Sequence, residues 1–106
     1  MAEKNILLVC NAGMSTSLLV SKMQKAAEKD DITVNIAATA SSDIKNKLQD
    51  GNPDVMMLGP QVRYLQKKLD AEYDFPVEVI NMQDYGLMNG ENVLKTALKT
   101  IDEAAK

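Results

Sequence analysis

Ile6-Leu7-Leu8-Val9-Cys10-Asn11-Ala12-Gly13-Met14-Ser15-Thr16-Ser17 is the stretch that decides how this chain folds. Its first half is an unbroken apolar run containing Ile and Val, the pattern of a strand buried on both faces. Its second half is mostly small and polar, with a glycine suited to turn dihedrals and three hydroxyl residues entering a helical pattern. A strand, a short glycine-containing loop and a helix make a concave site where backbone N–H groups and the amino end of the helix face an anion. Cys10, the single cysteine of the chain, stands where strand meets loop. Aligned donors around a sulfur favour its thiolate, the nucleophilic form.

The rest of the chain repeats the alternation of strand and helix. Ser15, Thr16 or Ser17 can cap the first helix, in which Leu19, Met23, Ala26 and Ala27 recur at helical spacing and Lys22, Lys25, Glu28 and Lys29 face outward. Asp30-Asp31 ends it. Ile32 to Ala38 alternates and is β-branched at Ile32, Thr33, Val34 and Ile36, which predicts a second strand. Ser41-Ser42-Asp43 opens a short helix carrying Ile44 and Leu48, closed by Gly51 and Pro53. Val55 to Leu58 predicts a third, buried strand ended by Gly59-Pro60. A helix over Gln61 to Tyr73 turns Val62, Leu65 and Leu69 inward. Val77 to Ile80 predicts the fourth strand, followed by a loop with Asp84, Tyr85 and Gly86. A last helix begins near Gly90, its apolar stripe formed by Val93, Leu94, Ala97, Leu98, Ile101 and Ala105.

Four strands alternating with helices predict an α/β fold: a four-stranded parallel sheet with helices on both faces, spanning residues 1–106 as a single domain. Strand order 2-1-3-4 puts the reversal of order beside strand one. Ligands of such sheets gather outside the carboxyl ends of the strands at that point, which is where Cys10 lies.

Composition narrows the chemistry. The chain of 106 residues is 45% hydrophobic and 25% charged, with a net charge of −3, a balance that argues against nucleic acid as a partner. One cysteine excludes an internal disulfide and fits a reducing compartment. The absence of histidine removes His-based acid–base catalysis, a Cys–His dyad and most zinc or haem sites. No metal or cofactor is expected. The apolar stretch after Met1–Asn5 is too short for a signal-peptide core or a membrane span, so a cytoplasmic protein is expected.

Cys10 has a plainer reading as core filling, since cysteine is among the most often buried residues. Ser15, Thr16 and Ser17 can be caps, anion-binding hydroxyls or both. Gln61 is either the exposed first residue of a helix or a hydrogen-bonding group across the rim of the Cys10 loop. Met14, Tyr85, Met88 and Gln61 are expected to form an exposed docking rim on the side of Cys10. Asp54 precedes strand three, and strand one lacks an acidic pair for magnesium, which speaks against a receiver-type phosphoaspartate. A Cys-x-x-Cys pair is absent, so a thioredoxin-like role has little support.

Two families of cysteine loop compare with this segment. Cysteine-dependent phosphatases carry Cys, five residues, Arg, then Ser or Thr; here Thr16 stands where the arginine should be. That arginine clamps phosphate oxygens bidentately and spreads the charge of the transferring group. Hydrolysis also needs an activated water, and the loop offers neither His nor Asp to activate it. A covalent carrier needs neither feature.

Leu8 to Val20 resembles the phosphocysteine loop of the IIB component of the bacterial phosphotransferase system, lactose/cellobiose/chitobiose class. The likeness continues in Leu58-Gly59-Pro60-Gln61 with Tyr64, and in Val77-Glu78-Val79-Ile80 before Tyr85-Gly86. The resemblance implies a flavodoxin-like, phosphocysteine-loop fold and a protein-phosphocysteine–sugar phosphotransferase. It implies Cys10 as the phosphorylated nucleophile, with Asn11, Ala12, Gly13, Met14, Ser15, Thr16 and Ser17 cradling the phosphoryl oxygens. It further implies a cytoplasmic protein, transiently at the inner membrane face, and a monomer is the simplest expectation for such a shuttle. A phosphohistidine of a IIA partner would be the donor, and a sugar held by the membrane IIC component the acceptor, at its 6-hydroxyl. The rival functions are a low-molecular-weight phosphatase or arsenate-reductase-like enzyme, and a non-catalytic flavodoxin-like binding module.

Overall fold

The computed structural model describes residues 4–11, 14–49 and 51–105, with the side chains of residues 14–16 and 105 outside that description. Strands β1 (Lys4–Cys10), β2 (Val34–Ala40), β3 (Val55–Leu58) and β4 (Val77–Val79) alternate with helices α1 (Met14–Lys29), α2 (Ile44–Leu48), α3 (Gln66–Glu72), α4 (Met82–Gly86) and α5 (Gly90–Ala105). The strands form one parallel sheet in the order β2-β1-β3-β4, the order expected above.

Side chains on β1 divide by parity, because successive residues of a strand point to opposite faces. Ile6 and Leu8 join Met57, the α1 residues Leu19, Met23 and Ala27, and the α5 residues Val93, Leu94, Ala97 and Ile101. Leu7 and Val9 join Met56 and Leu58 with Ile44, Val62, Leu69 and Phe75 on the other face. Both faces are therefore covered, which is why β1 and β3 read as continuous apolar runs rather than alternating ones. Leu8, Met56, Met57 and Leu58 are wholly inaccessible, and covering each such side chain contributes about 2 kcal/mol.

Helix ends explain where sequence and structure part. At the end of α1, Asp31 adopts the left-handed conformation (φ 59°). Its N–H donates to the Glu28 carbonyl while the Ile32 N–H donates to that of Ala27, the double closure of a Schellman motif. Ile32 is thereby tied to the helix, so β2 starts at Val34 instead of Ile32 and runs on to Ala40, opposite Cys10. The helix expected over Gln61–Tyr73 is divided: a 3₁₀ segment, Pro60–Leu65, precedes α3, with Val62 at non-helical dihedrals and its side chain fully buried. The Gln66 side-chain amide then donates to the Val77 carbonyl at 3.0 Å, holding α3 against β4.

The loop expected around Asp84, Tyr85 and Gly86 is helix α4. Asn81 caps it, its side-chain oxygen accepting from the N–H groups of Gln83 and Asp84. A second Schellman closure ends it, with Met88 left-handed at φ 52° and the Asn89 N–H donating to the Asp84 carbonyl at 2.8 Å. Asn89 at once caps α5 by accepting from the Asn92 N–H.

Gly90 brings the start of α5 against the backbone of α1. A Cβ there would lie 2.6 Å from the Lys22 carbonyl carbon and 2.7 Å from the Met23 nitrogen, and a backbone cannot step aside as a flexible side chain can. Gly90→Ala is expected to destabilise the protein by about 1–3 kcal/mol, the range for forced overpacking. Thermal denaturation would show it as a fall of several degrees, at about 4–8 °C per kcal/mol for a domain of this size. An unchanged melting temperature would contradict this packing.

Candidate active site

The parallel sheet directs every strand's carboxyl end to one edge of the molecule, and Cys10 ends the strand at which strand order reverses. It is a free thiol, 2% exposed, on the same parity as Ile6 and Leu8 and hence on the α1 side of the sheet. Asn11 follows it, exposed. Helix α1 is already formed at Met14, so Ser15, Thr16 and Ser17 occupy its first turn rather than its cap position. A helix leaves its opening N–H groups without carbonyls of its own, and they point back past its start, here towards the end of β1. That first turn contains no acidic residue to repel an anion. Ala12 and Gly13, and the side chains of Met14, Ser15 and Thr16, lie outside the described residues; Ser17 is exposed.

The end of β3 is pinned beside the thiol. The Gly59 N–H donates to the Val9 carbonyl at 2.7 Å, extending the β1–β3 ladder to the residue before Cys10. Gly59 has φ −62° and ψ 152°, dihedrals that any residue accepts. What it needs is space: a Cβ there would sit 3.5 Å from the Cys10 Cβ, 3.4 Å from the Val9 carbonyl oxygen and 3.0 Å from Gln61 Oε1. Gln61, exposed on the 3₁₀ segment, thus has its side-chain amide turned back over Gly59 towards Cys10.

The docking rim differs from the expected one. Tyr85 is only 8% exposed and belongs to the core beside Val93 and Leu94; α4 turns its ring inward, where a loop had been expected to display it. Met88, held by the Schellman closure, is half-buried against the same core. The large apolar side chains exposed among the described residues are instead Leu18, Tyr64, Met82 and Leu87. Each lies on a segment leaving the carboxyl end of a strand: Leu18 after β1, Tyr64 after β3, Met82 and Leu87 after β4. Tyr64 and Met82 share a shallow depression with Pro60, Gln61 and Arg63, and Tyr85 contributes to its lining. Periodicity could not separate Met82 from Tyr85, because the helix that carries both is only five residues long; Asn81 as a cap was the available signal.

Among the described residues no three His, Cys, Asp or Glu side chains are grouped to hold a metal ion, and no helix is long and apolar enough to cross a membrane.

This sequence and this fold have counterparts among known proteins. The family described as "PTS system, Lactose/Cellobiose specific IIB subunit" matches residues 5–96. The chain belongs to this family of phosphotransferase-system IIB subunits, which are phosphoryl carriers. It is 48% identical over 103 residues to the galactose-specific EIIB component of Lactococcus lactis subsp. cremoris, covering 92% of this chain and 95% of that protein. Identity and coverage are the same for the cellobiose-specific EIIB component of Lactococcus lactis subsp. lactis. The solution structure of a cellobiose-specific phosphotransferase IIB component from Borrelia burgdorferi superposes with a TM-score of 0.77 at 40% identity, covering 97% of this chain and 95% of that one.

Replacement of the two tyrosines should separate core from rim. Tyr85→Ala is expected to lose about 3 kcal/mol of stability, as large-to-small aromatic changes in a core do. Tyr64→Ala, at a ring 71% exposed, should stay within about 0.5 kcal/mol of the parent. Urea titrations of both variants test the assignment, and equal midpoints would refute it.

Proposed function

We propose that Cys10 is the residue that carries the phosphoryl group. The sulfur attacks the phosphorus of a phosphohistidine on a IIA partner; an S–P bond forms, the P–N bond breaks, and its electron pair returns to the imidazole. In the second transfer the 6-hydroxyl oxygen of a β-linked disaccharide of the cellobiose, chitobiose or lactose type, held by the membrane IIC component, attacks the same phosphorus. The S–P electron pair then returns to sulfur, and the hydroxyl proton goes to a base on the acceptor side. Both steps are in-line displacements for which this chain supplies position and electrostatics, without a cofactor. The chain acts as a cytoplasmic monomer meeting IIC at the inner membrane face.

The single observation behind this reading is the position of Cys10 at the strand-order reversal, directly ahead of the first turn of α1. Burial of the sulfur supports it further, since an S–P bond kept from bulk water resists hydrolysis between partners. The amides of residues 11–17 form the cradle in this proposal, with Ala12 and Gly13 supplying the small, turn-forming part. The exposed rim of Tyr64, Met82, Leu87 and Leu18 is the surface on which partners seat: Tyr64 and Met82 line one depression, Leu87 and Leu18 are exposed on segments leaving the same edge of the sheet, and exposed apolar surface on small proteins marks contact sites. It replaces Tyr85 and Met88 in that role; the side chain of Met14 lies outside the described residues.

The chain contains no histidine, so a phosphoryl group on it is not confused with phosphohistidine. Incubated with phosphoenolpyruvate, the upstream relay proteins and a charged IIA, the protein should gain the mass of one phosphoryl group, and Cys10→Ser should gain none. No mass gain beside a demonstrably phosphorylated IIA overturns the proposal, and turnover of a free aryl phosphate without partners would establish a phosphatase instead. The double variant Tyr64→Ala, Met82→Ala should be charged at least about tenfold more slowly, the effect of losing roughly 1.4 kcal/mol of encounter energy, with its melting temperature unchanged. A charging rate equal to that of the parent would remove the rim from the docking surface.

A further inference from the structure

We propose that Gln61 is a positioning residue for the phosphoryl group on Cys10, its side-chain amide donating to a phosphoryl oxygen from the β3 side. The inference rests on the carrier reading above and adds a role for a side chain outside the loop that follows Cys10.

Three features support it. The first is local geometry: Gln61 Oε1 and the Cys10 Cβ both border the empty Cβ position of Gly59, at 3.0 and 3.5 Å. The two atoms are therefore no farther apart than those distances laid end to end, which is the reach of a group bound to the sulfur. The second is fixation of the supporting backbone. Gly59 is joined to Val9 and, through its carbonyl, to the Val62 N–H at 3.0 Å, and the Val62 side chain is wholly buried. Gln61 lies between these anchored residues, so its amide extends from a fixed base although the side chain is exposed. The third is chemical. A terminal amide offers both a carbonyl oxygen and two N–H donors, and rotation about its last torsion presents Nε2 to an anionic oxygen. Thr16 occupies the place of the phosphatase arginine; Gln61 supplies a neutral donor from a different element. No bond is made or broken at Gln61 and no proton moves to it.

Gly59 is part of the same device. A methyl group there can be accommodated only by moving the flexible Gln61 amide, because the other neighbours are the Val9 carbonyl and Cys10 itself. Gly59→Ala and Gln61→Ala should therefore remove the same interaction.

The test begins with the unmodified protein, charged by phosphorylated IIA and followed by intact mass; failure there refutes the carrier reading itself. Once it charges, Gln61→Ala, Gln61→Glu, Gly59→Ala and the double variant Gly59→Ala, Gln61→Ala are compared for charging rate, phosphocysteine lifetime and melting temperature. Losing one hydrogen bond to a charged group is expected to change charging rate or lifetime by about tenfold in Gln61→Ala. Gln61→Glu should be more severe, because its carboxylate faces a phosphoryl dianion, and its deficit should shrink as pH falls towards the carboxylate range. The double variant should be no worse than Gln61→Ala alone, the non-additivity of a shared interaction. Melting temperatures should be unchanged for the two single Gln61 variants. Charging rates and lifetimes within twofold of the parent in both of those variants, or additive losses in the double variant, overturn the assignment and leave the carrier reading standing.

Discussion

Strand β1 bonds to a neighbour on each side, β2 and β3, and is covered on both faces. These two constraints fix its register and pleat together. A slip of one residue would exchange Ile6 and Leu8 with Leu7 and Val9 between two different cores and carry Cys10 to the opposite face. The position of the proposed phosphoryl-carrying thiol is thus specified by side chains with no role in the proposed chemistry. It also explains why so small a protein can hold a thiol accurately: the residue before it, Val9, accepts from Gly59 at 2.7 Å, while Cys10 lies in register with Ala40 on β2. Helix α1 packs Leu19, Met23 and Ala27 onto the Ile6 face, so the opening turn of the helix and the end of the strand are set by a single packing arrangement.

The fold was legible where burial controls the sequence and obscure where capping does. Runs such as Val55 to Leu58 must be apolar because both faces are covered, and they stand out in any reading. The start of β2 did not, because Ile32 has a β-branched side chain while its N–H belongs to the end of α1. Helix α4 was missed for a related reason. Five residues give no periodicity, and the information lies in Asn81 at one end and in Met88 at φ 52° at the other, a position where glycine is the usual signal. Methionine there bears conformational strain that its contact with the core offsets, and that contact leaves no mark in the local sequence pattern.

The site was legible to a similar depth. Cys10, its place at the switch point and the missing arginine all follow from order and spacing along the chain. Which apolar residues face outward did not follow, since Tyr64 and Tyr85 each lie just beyond a strand and differ only in how the following turn is wound. Substrate choice has no such local signature. Relatives with identical overall similarity are galactose-specific and cellobiose-specific, so whatever distinguishes the sugars is not expressed in the overall resemblance of these chains.

The absence of an arginine from the loop that follows Cys10 suits a relay on energetic grounds. A carrier's covalent intermediate must be bound firmly enough to outlast the journey between partners and loosely enough to leave at the next one. A bidentate guanidinium adds charge-assisted hydrogen bonds about twice as strong as neutral ones, and it stabilises the transferring group whatever the acceptor, water included. Backbone amides, joined in our proposal by the Gln61 amide, give directional donors without a full positive charge. In the proposed relay they would hold the phosphoryl oxygens while leaving the balance of each transfer to the partner that brings its own base and its own charge. In the proposed relay, selectivity against water would come from burial of Cys10, which is 2% exposed, and selectivity for partners from the apolar rim. The chemistry of the loop can then remain the same whichever sugar is at the end of the relay.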